Sequence, residues 1–203
     1  MSQATLCVFA RAPVAGRVKS RLAETLGTGA ALAAHVQLVE DTLARLVSIA
    51  DVATELWLDD VEDAGGRRWA RQWQLPLRQQ KGGDLGARMH HALQSCLDAN
   101  AVGMVVGTDC PAIDAGYVQS AARALDSHDV VLGPAQDGGY GLIGARRPVP
   151  ELFRGIAWGS DAVLAQTLAR AAVAGLDVAQ LPQIWDVDTA LDWRRYLALR
   201  QRG

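Results

Sequence analysis

Histidine is scarce in this 203-residue chain, with 4 copies, and there are 3 cysteines, Cys7, Cys96 and Cys110, none in a C-x-x-C spacing. That excludes a disulfide frame and a zinc site of the usual cysteine–histidine spacing, and favours reduced thiols in a cytoplasm. Charge of one sign is missing too: 20 Lys and Arg against 22 Asp and Glu leave a formal net charge of -2. Domains that bind nucleic acid wholesale are as a rule basic, so no nucleic-acid partner is expected. No apolar run approaches the ~20 residues of a membrane span. The first residues lack a basic n-region, and their apolar stretch is too short for a secretory signal. What remains is an ordinary globular composition, half hydrophobic and 21% charged. That length suits a single domain, 1–203, with a sizeable core.

Strand-like and helix-like segments alternate along the chain. "TLCVFA" (5–10) is a buried strand. A helix follows over 28–48, with Leu32, Val36, Val39, Leu43 and Leu46 on one face and Thr28 as N-cap. "TELWL" (54–58) is a second strand, and a short helix surrounds Arg67–Trp73 after Gly65-Gly66. The spacing predicts a helix over 84–99, capped by Asp84, with Leu85, Met89, Leu93 and Leu97 on one side. "VGMVVG" (102–107) is the clearest buried strand, and a helix spans 114–125. Strands at 129–135 and 140–146, a helix at 160–175 and the strand "LDVAQLP" follow. A last helix, 189–200, carries a Thr189/Asp192 capping pair.

Such alternation predicts an α/β protein, a mostly parallel sheet with helices on both faces. Ligands then sit at the carboxyl ends of the strands, so the loops that follow strands matter most. After the first strand comes "RAPVAGRVKSRL", with four cations, Arg11, Arg17, Lys19 and Arg21. After 102–107 comes "TDCP", after 129–135 "QDGGYG", and late in the chain "IWDVDTALD". One basic loop and three acidic ones converging on one edge would combine cations for phosphate with carboxylates for a metal.

Two tempting motifs fail. In "GRVKS", Val18 rather than glycine precedes Lys19, so this is not a P-loop. "GYGLIG" (139–144) matches G-x-G-x-x-G, but Pro148 and Pro150 soon after forbid the helix a dinucleotide site requires. The basic loop itself has a physical use. Pro13 and Gly16 form a turn that can expose backbone amides, and Arg17, Lys19 and Arg21 alternate, so an extended loop would place them on one side. Such a nest suits a diphosphate or triphosphate. A cation on such a loop should contribute little to the core. The His90-His91 pair is expected to be solvated or at the edge of the core, and Asp84 and Asp114 to be helix caps.

Six segments in order, "FARAPVAGRVKSRLAETLG", "QKGGDLGARMHHAL", "VVGTDCPAI", "DVVLGPAQDGGYGLIG", "LFRGIAWGSDAVL" and "DVDTALDW", resemble the GT-A-like transferases of unknown function often labelled selenodomain-associated transferases. The resemblance covers nearly the whole chain. More distantly, the chain is similar to the sugar-phosphate, molybdopterin and phospholactate nucleotidyltransferases. The resemblance implies the nucleotide-diphospho-sugar transferase fold, a three-layer α/β/α sandwich. It implies that Gly16, Arg17, Lys19 and Arg21, with Ala12 and Pro13 in the same loop, embrace nucleotide phosphates, and that Gln80, Gly83, Leu85 and Gly86 border the base. It makes Asp109 a metal ligand and draws the second ligand from Asp188, with Asp186 close by as the alternative. Asp137, Gly138, Gly139 and Tyr140 fall where relatives bind the acceptor, and Trp158 would line the same pocket.

The expected activity is transfer of a nucleotidyl group from a nucleoside triphosphate to a small acceptor, with pyrophosphate released. Asp109 and Asp188 would hold Mg2+ or Mn2+, and Lys19 and Arg21 would neutralise the leaving pyrophosphate. Amide donors of Gly138 and Gly139 and the Tyr140 hydroxyl would orient a small anionic or hydroxylated acceptor. "GTDCP" is not the D-x-D of many glycosyltransferases, so glycosyl transfer from a nucleotide sugar is the alternative. A catalytically idle nucleotide-binding module is the second.

Overall fold

The computed structural model describes residues 4–99 and 101–201. Seven strands form one sheet in the order β3-β2-β1-β4-β6-β5-β7. These are β1 (Ala4–Ala10), β2 (Val52–Leu58), β3 (Leu77–Gln79), β4 (Val102–Gly107), β5 (Val130–Pro134), β6 (Tyr140–Ala145) and β7 (Val178–Gln180). All pairings are parallel except those of β6, which runs antiparallel to both β4 and β5. Among the described residues the α-helices are α1 (Ser20–Leu26), α2 (Thr28–Leu46), α3 (Ala64–Gln72), α4 (Leu85–Asp98), α5 (Ala115–Ala124), α6 (Val163–Val173) and α7 (Ala190–Arg200).

The period-two alternation of buried strands creates the two layers of core. Leu6, Val8, Leu56, Leu58, Met104 and Val106 pack on one face with α2, α3 and α5. Cys7, Phe9, Trp57, Val105, Leu132 and Ile143 pack on the other with α4 and α6. The result is the expected three-layer α/β/α sandwich. Chain order reverses between β1 and β4, so the loops after these two strands diverge and leave a crevice at their carboxyl ends.

Local signals explain most of the helix starts. Asp63, Asp84 and Asp114 each cap a helix by accepting from a backbone N–H three residues on. Thr189 and Asp192 form the reciprocal capping box of α7. Thr28 is not a cap, since Gly27 holds that position; Val39, Leu43 and Leu46 are buried as expected, while Leu32 and Val36 are only half-buried and the buried face also takes in Ala31, Ala34, His35, Leu38 and Thr42. The helix expected over 160–175 starts only at Val163, with Ala162 as its cap. Three elements had no sequence signal strong enough to find them: α1, the edge strand β3 and a 3-10 turn at Pro150–Phe153.

Candidate active site

The loop after β1 does not run extended. Val14 N–H donates to the Ala12 carbonyl and Arg17 N–H to the Val14 carbonyl, and Gly16 turns at φ 78. Lys19 takes a left-handed conformation, φ 49 and ψ 50, and α1 starts at the next residue. A left-handed lysine is sterically unfavourable, and residues so held cluster at functional sites. The alternation expected to place Arg17, Lys19 and Arg21 on one side is therefore broken. Arg17 is exposed, and its hydrogen bonds are made by its backbone, the N–H to Val14 and the carbonyl to Arg11 Nη1. Lys19 turns inward, its side chain 4% exposed, and its ammonium donates to the Val187 carbonyl at 2.6 Å and pairs with Asp109 Oδ1 at 2.7 Å. Lys19 is thus a buried tie between three loops rather than a loop cation of little structural weight. Arg21, on α1, stays exposed and pairs with Asp188 at 2.8 Å.

A cavity of about 520 Å³ opens at this point. It is lined by Lys19, Asp109 and Asp188, by Gln80 and Leu85, and by Arg11, His35 and Arg88. Arg11 is one of the four cations of the loop after β1, whereas His35 and Arg88 were not among the expected site residues. His35 carried a usable signal, since it is the one ionisable residue on the buried face of α2. Its Nε2 contacts the Arg11 carbonyl at 3.0 Å, and burial lowers its pKa, so it acts as a neutral support. Gln80 donates both amide protons to backbone carbonyls, of Ala10 at 3.1 Å and Trp57 at 2.8 Å. With its nitrogen so held, its oxygen is left as an acceptor.

Several expected nucleotide residues lie outside this cavity. Ala12 N–H is engaged by Asp59 Oδ1 at 2.7 Å, and Pro13 packs against Gly65 of α3. Gly16 and Gly83 are exposed with open space around them. Gly86 is buried beneath Trp158: a Cβ there would lie 2.3 Å from the indole. Trp158 in turn stacks on Phe153 at 6.5 Å, so this pair closes the start of α4 instead of lining an acceptor pocket.

A second cavity, about 270 Å³, shares Phe9, Leu85, Gly107 and Asp109 with the first. Asp137 and Asp186 reach it, as do Cys110 and the ring of Tyr140. The donors expected from the hairpin are not free. Gly138 N–H bonds the Ala135 carbonyl, and Gly139 N–H bonds Asp137 Oδ1 at 2.9 Å. Gly138 is required for another reason, because a Cβ at its φ of 86 would lie 2.1 Å from the Asp161 carbonyl oxygen. The Tyr140 hydroxyl is buried beside Thr167, and burial raises its pKa. Burial, followed by the charge of Asp137, raises the pKa of Asp186. Asp186 thus faces the second cavity and Asp188 the first.

Asp109 and Asp188 are hard oxygen donors, and no group of three His, Cys, Asp or Glu side chains forms a protein-only cage among the described residues. This donor set fits Mg2+, which commonly takes one or two carboxylates and completes its shell with phosphate oxygens and water.

No curated protein matches the chain. Among solved structures, a protein from Desulfovibrio desulfuricans G20 described as a "putative nucleotide-diphospho-sugar transferase" is 31% identical, with a TM-score of 0.90 over 100% of this chain and 90% of that one. The CMP:2-keto-3-deoxy-manno-octonic acid synthetase complexed with CTP has a TM-score of 0.66 at 12% identity, covering 99% of both chains. A 4-diphosphocytidyl-2C-methyl-D-erythritol synthase from Anaerococcus prevotii DSM 20548 has a TM-score of 0.64 at 11% identity, covering 98% of this chain and 97% of that one. The last two likenesses show the fold alone. Residues 42–160 match the family described as an uncharacterized protein conserved in bacteria, DUF2064, and with the 31% identity over its full length the chain belongs to that family of nucleotide-diphospho-sugar transferase fold.

Proposed function

We propose that the chain is a nucleotide-using transferase whose leading reaction is nucleotidyl transfer from a nucleoside triphosphate to a small acceptor. One observation carries the reading: Lys19–Asp109 and Arg21–Asp188 bring two cations and two carboxylates together beside the 520 Å³ cavity. An ammonium has three donors. Two of those on Lys19 hold Val187 and Asp109, leaving one for a phosphate oxygen. Arg21 and Arg88 add guanidinium charge near the same cavity. The free oxygen of Gln80 would accept from a donor on the base. Asp109 and Asp188 would hold Mg2+, which when bound neutralises charge on the triphosphate. In the transfer, an acceptor oxygen bonds to the α-phosphorus, the bond to the β-phosphate bridge breaks, and pyrophosphate leaves with the electron pair. Positioning and charge neutralisation by Lys19 and Arg21 would lower the barrier.

Glycosyl transfer from a nucleotide sugar is the second reading, supported by the 31% identical structure and its description. An idle nucleotide-binding module would keep the binding and lose the chemistry. Incubation with each nucleoside triphosphate or nucleotide sugar and mixed acceptors, with Mg2+ and with EDTA, separates the three. Pyrophosphate release supports nucleotidyl transfer, nucleoside diphosphate release supports glycosyl transfer, and tight binding with neither product supports the idle module. No binding of any nucleotide overturns the reading.

A further inference from the structure

The second cavity differs in chemistry from the first. Met89, Val105, Leu142 and Ile143 give it apolar walls, and its charged lining is Asp109, Asp137 and Asp186. Among the described residues, no lysine, arginine or histidine lines it. Lys19 already serves Asp109 and the Val187 carbonyl, and the amides of Gly138 and Gly139 are engaged within their own hairpin. The cavity therefore offers hydrogen-bond acceptors and few donors. A phosphate or carboxylate needs the opposite, donors and cations. On this ground we propose that the second substrate is a small molecule with hydroxyl or ammonium donors on a partly apolar body, and with no phosphate or carboxylate.

This inference rests on the reading that the first cavity takes the nucleotide. It narrows the acceptor from anionic or hydroxylated to non-anionic. It also gives Asp137 a use. A neutral hydroxyl must lose its proton as its oxygen bonds to phosphorus, and Asp137, which lines the cavity, can receive that proton as pyrophosphate departs. An acceptor that attacks through a phosphate oxygen would need no such base.

The test uses the full chain and pairs of probes that differ in the anion: glycerol against glycerol 3-phosphate, and ethanolamine against phosphoethanolamine. Each is titrated by saturation-transfer NMR with and without Mg2+ and CTP. The unphosphorylated partner should bind at least tenfold more tightly. Asp137→Asn keeps an oxygen for the Gly139 N–H while removing the charge, and should narrow that gap roughly five- to tenfold, as expected for one carboxylate near a phosphate. Asp186→Asn should do the same, and circular dichroism checks that both variants fold. Equal or tighter binding of the phosphorylated partners overturns the proposal. So does an unchanged gap in both variants, or no binding of any probe under either condition. Calorimetry with CTP or UDP-glucose alone reads the first cavity, so loss of the nucleotide reading is seen separately from the probe ratios.

Discussion

The two cavities meet at Asp109 yet follow opposite electrostatic plans. In the first, each carboxylate already has a cation, Asp109 with Lys19 and Asp188 with Arg21. In the second, Asp137 and Asp186 have no salt-bridge partner among the described residues, and burial with mutual repulsion raises the pKa of Asp186. A site whose charge is balanced in advance could receive a polyanion by exchanging partners: in the proposed reaction the cations would turn to phosphate, and the carboxylates would be free to hold a metal ion. A site with unbalanced negative charge repels the same polyanion. Under the proposed function the contrast would give the crevice a direction, with the nucleotide between β1 and α4 and the acceptor toward the β5–β6 hairpin.

Asp109 belongs to both cavities, so Asp109→Asn should break the comparison most. Turnover should fall at least 100-fold, as is typical when a key electrostatic group is lost, with circular dichroism unchanged; Asp188→Asn should do the same and leave probe binding in the second cavity intact. Activity that is insensitive to EDTA in the wild type would remove the metal from this scheme. Lys19→Ala comes next. It should weaken CTP binding by tenfold or more in calorimetry. It should also destabilise the fold by about 1–3 kcal/mol, because Val187 loses a donor and Asp109 its partner. An unaltered melting temperature would show that the tie between the three loops carries no stability.

Gly86→Ala tests the roof of the crevice. Its Cβ would meet the Trp158 indole at 2.3 Å, and such overpacking costs about 1–3 kcal/mol. Trp158→Leu in the same chain should restore most of the melting temperature.

The smallest effect comes from the far end of the sheet. Asp129, before β5, accepts from Arg147 at 2.9 Å and from the Asp177 N–H at 3.1 Å. These partners, Arg147 first, depress its pKa. A depressed carboxylate stabilises the fold above its unfolded pKa, near 3.9, and that contribution is lost as pH falls through its folded value. Asp129→Asn should therefore lower stability at pH 7 by about 1 kcal/mol, and the difference from wild type should shrink as the pH drops below 4. A difference independent of pH would contradict this sign.

Much of the framework was legible before the structure. The continuous apolar runs at 5–10 and 102–107 are the two central strands because a strand buried on both faces has no polar side. Asp84, Asp114 and Thr189 were readable as caps because a cap acts within three residues. The β3 strand was not, since three residues at an edge show no period. Helix α1 was hidden for a related reason: its start depends on Lys19 turning left-handed, and nothing local marks a lysine for that.

The sequence by itself determined the alternation of strands and helices, the two-sided core and the charged loops at one edge of the sheet. These are short-range properties, set by period, capping and the order of elements. It also singled out Lys19, Asp109 and Asp188, the residues the fold brings together. Only the tertiary structure decided which charges meet. It paired Lys19 with Asp109 across 90 residues of chain and Arg21 with Asp188, left Arg17 in solvent, and introduced His35 and Arg88 to the cavity. It also directed the glycines of the hairpin to packing. Where a side chain points depends on backbone turns and on neighbours distant in sequence, and a charge pattern along the chain carries no record of either.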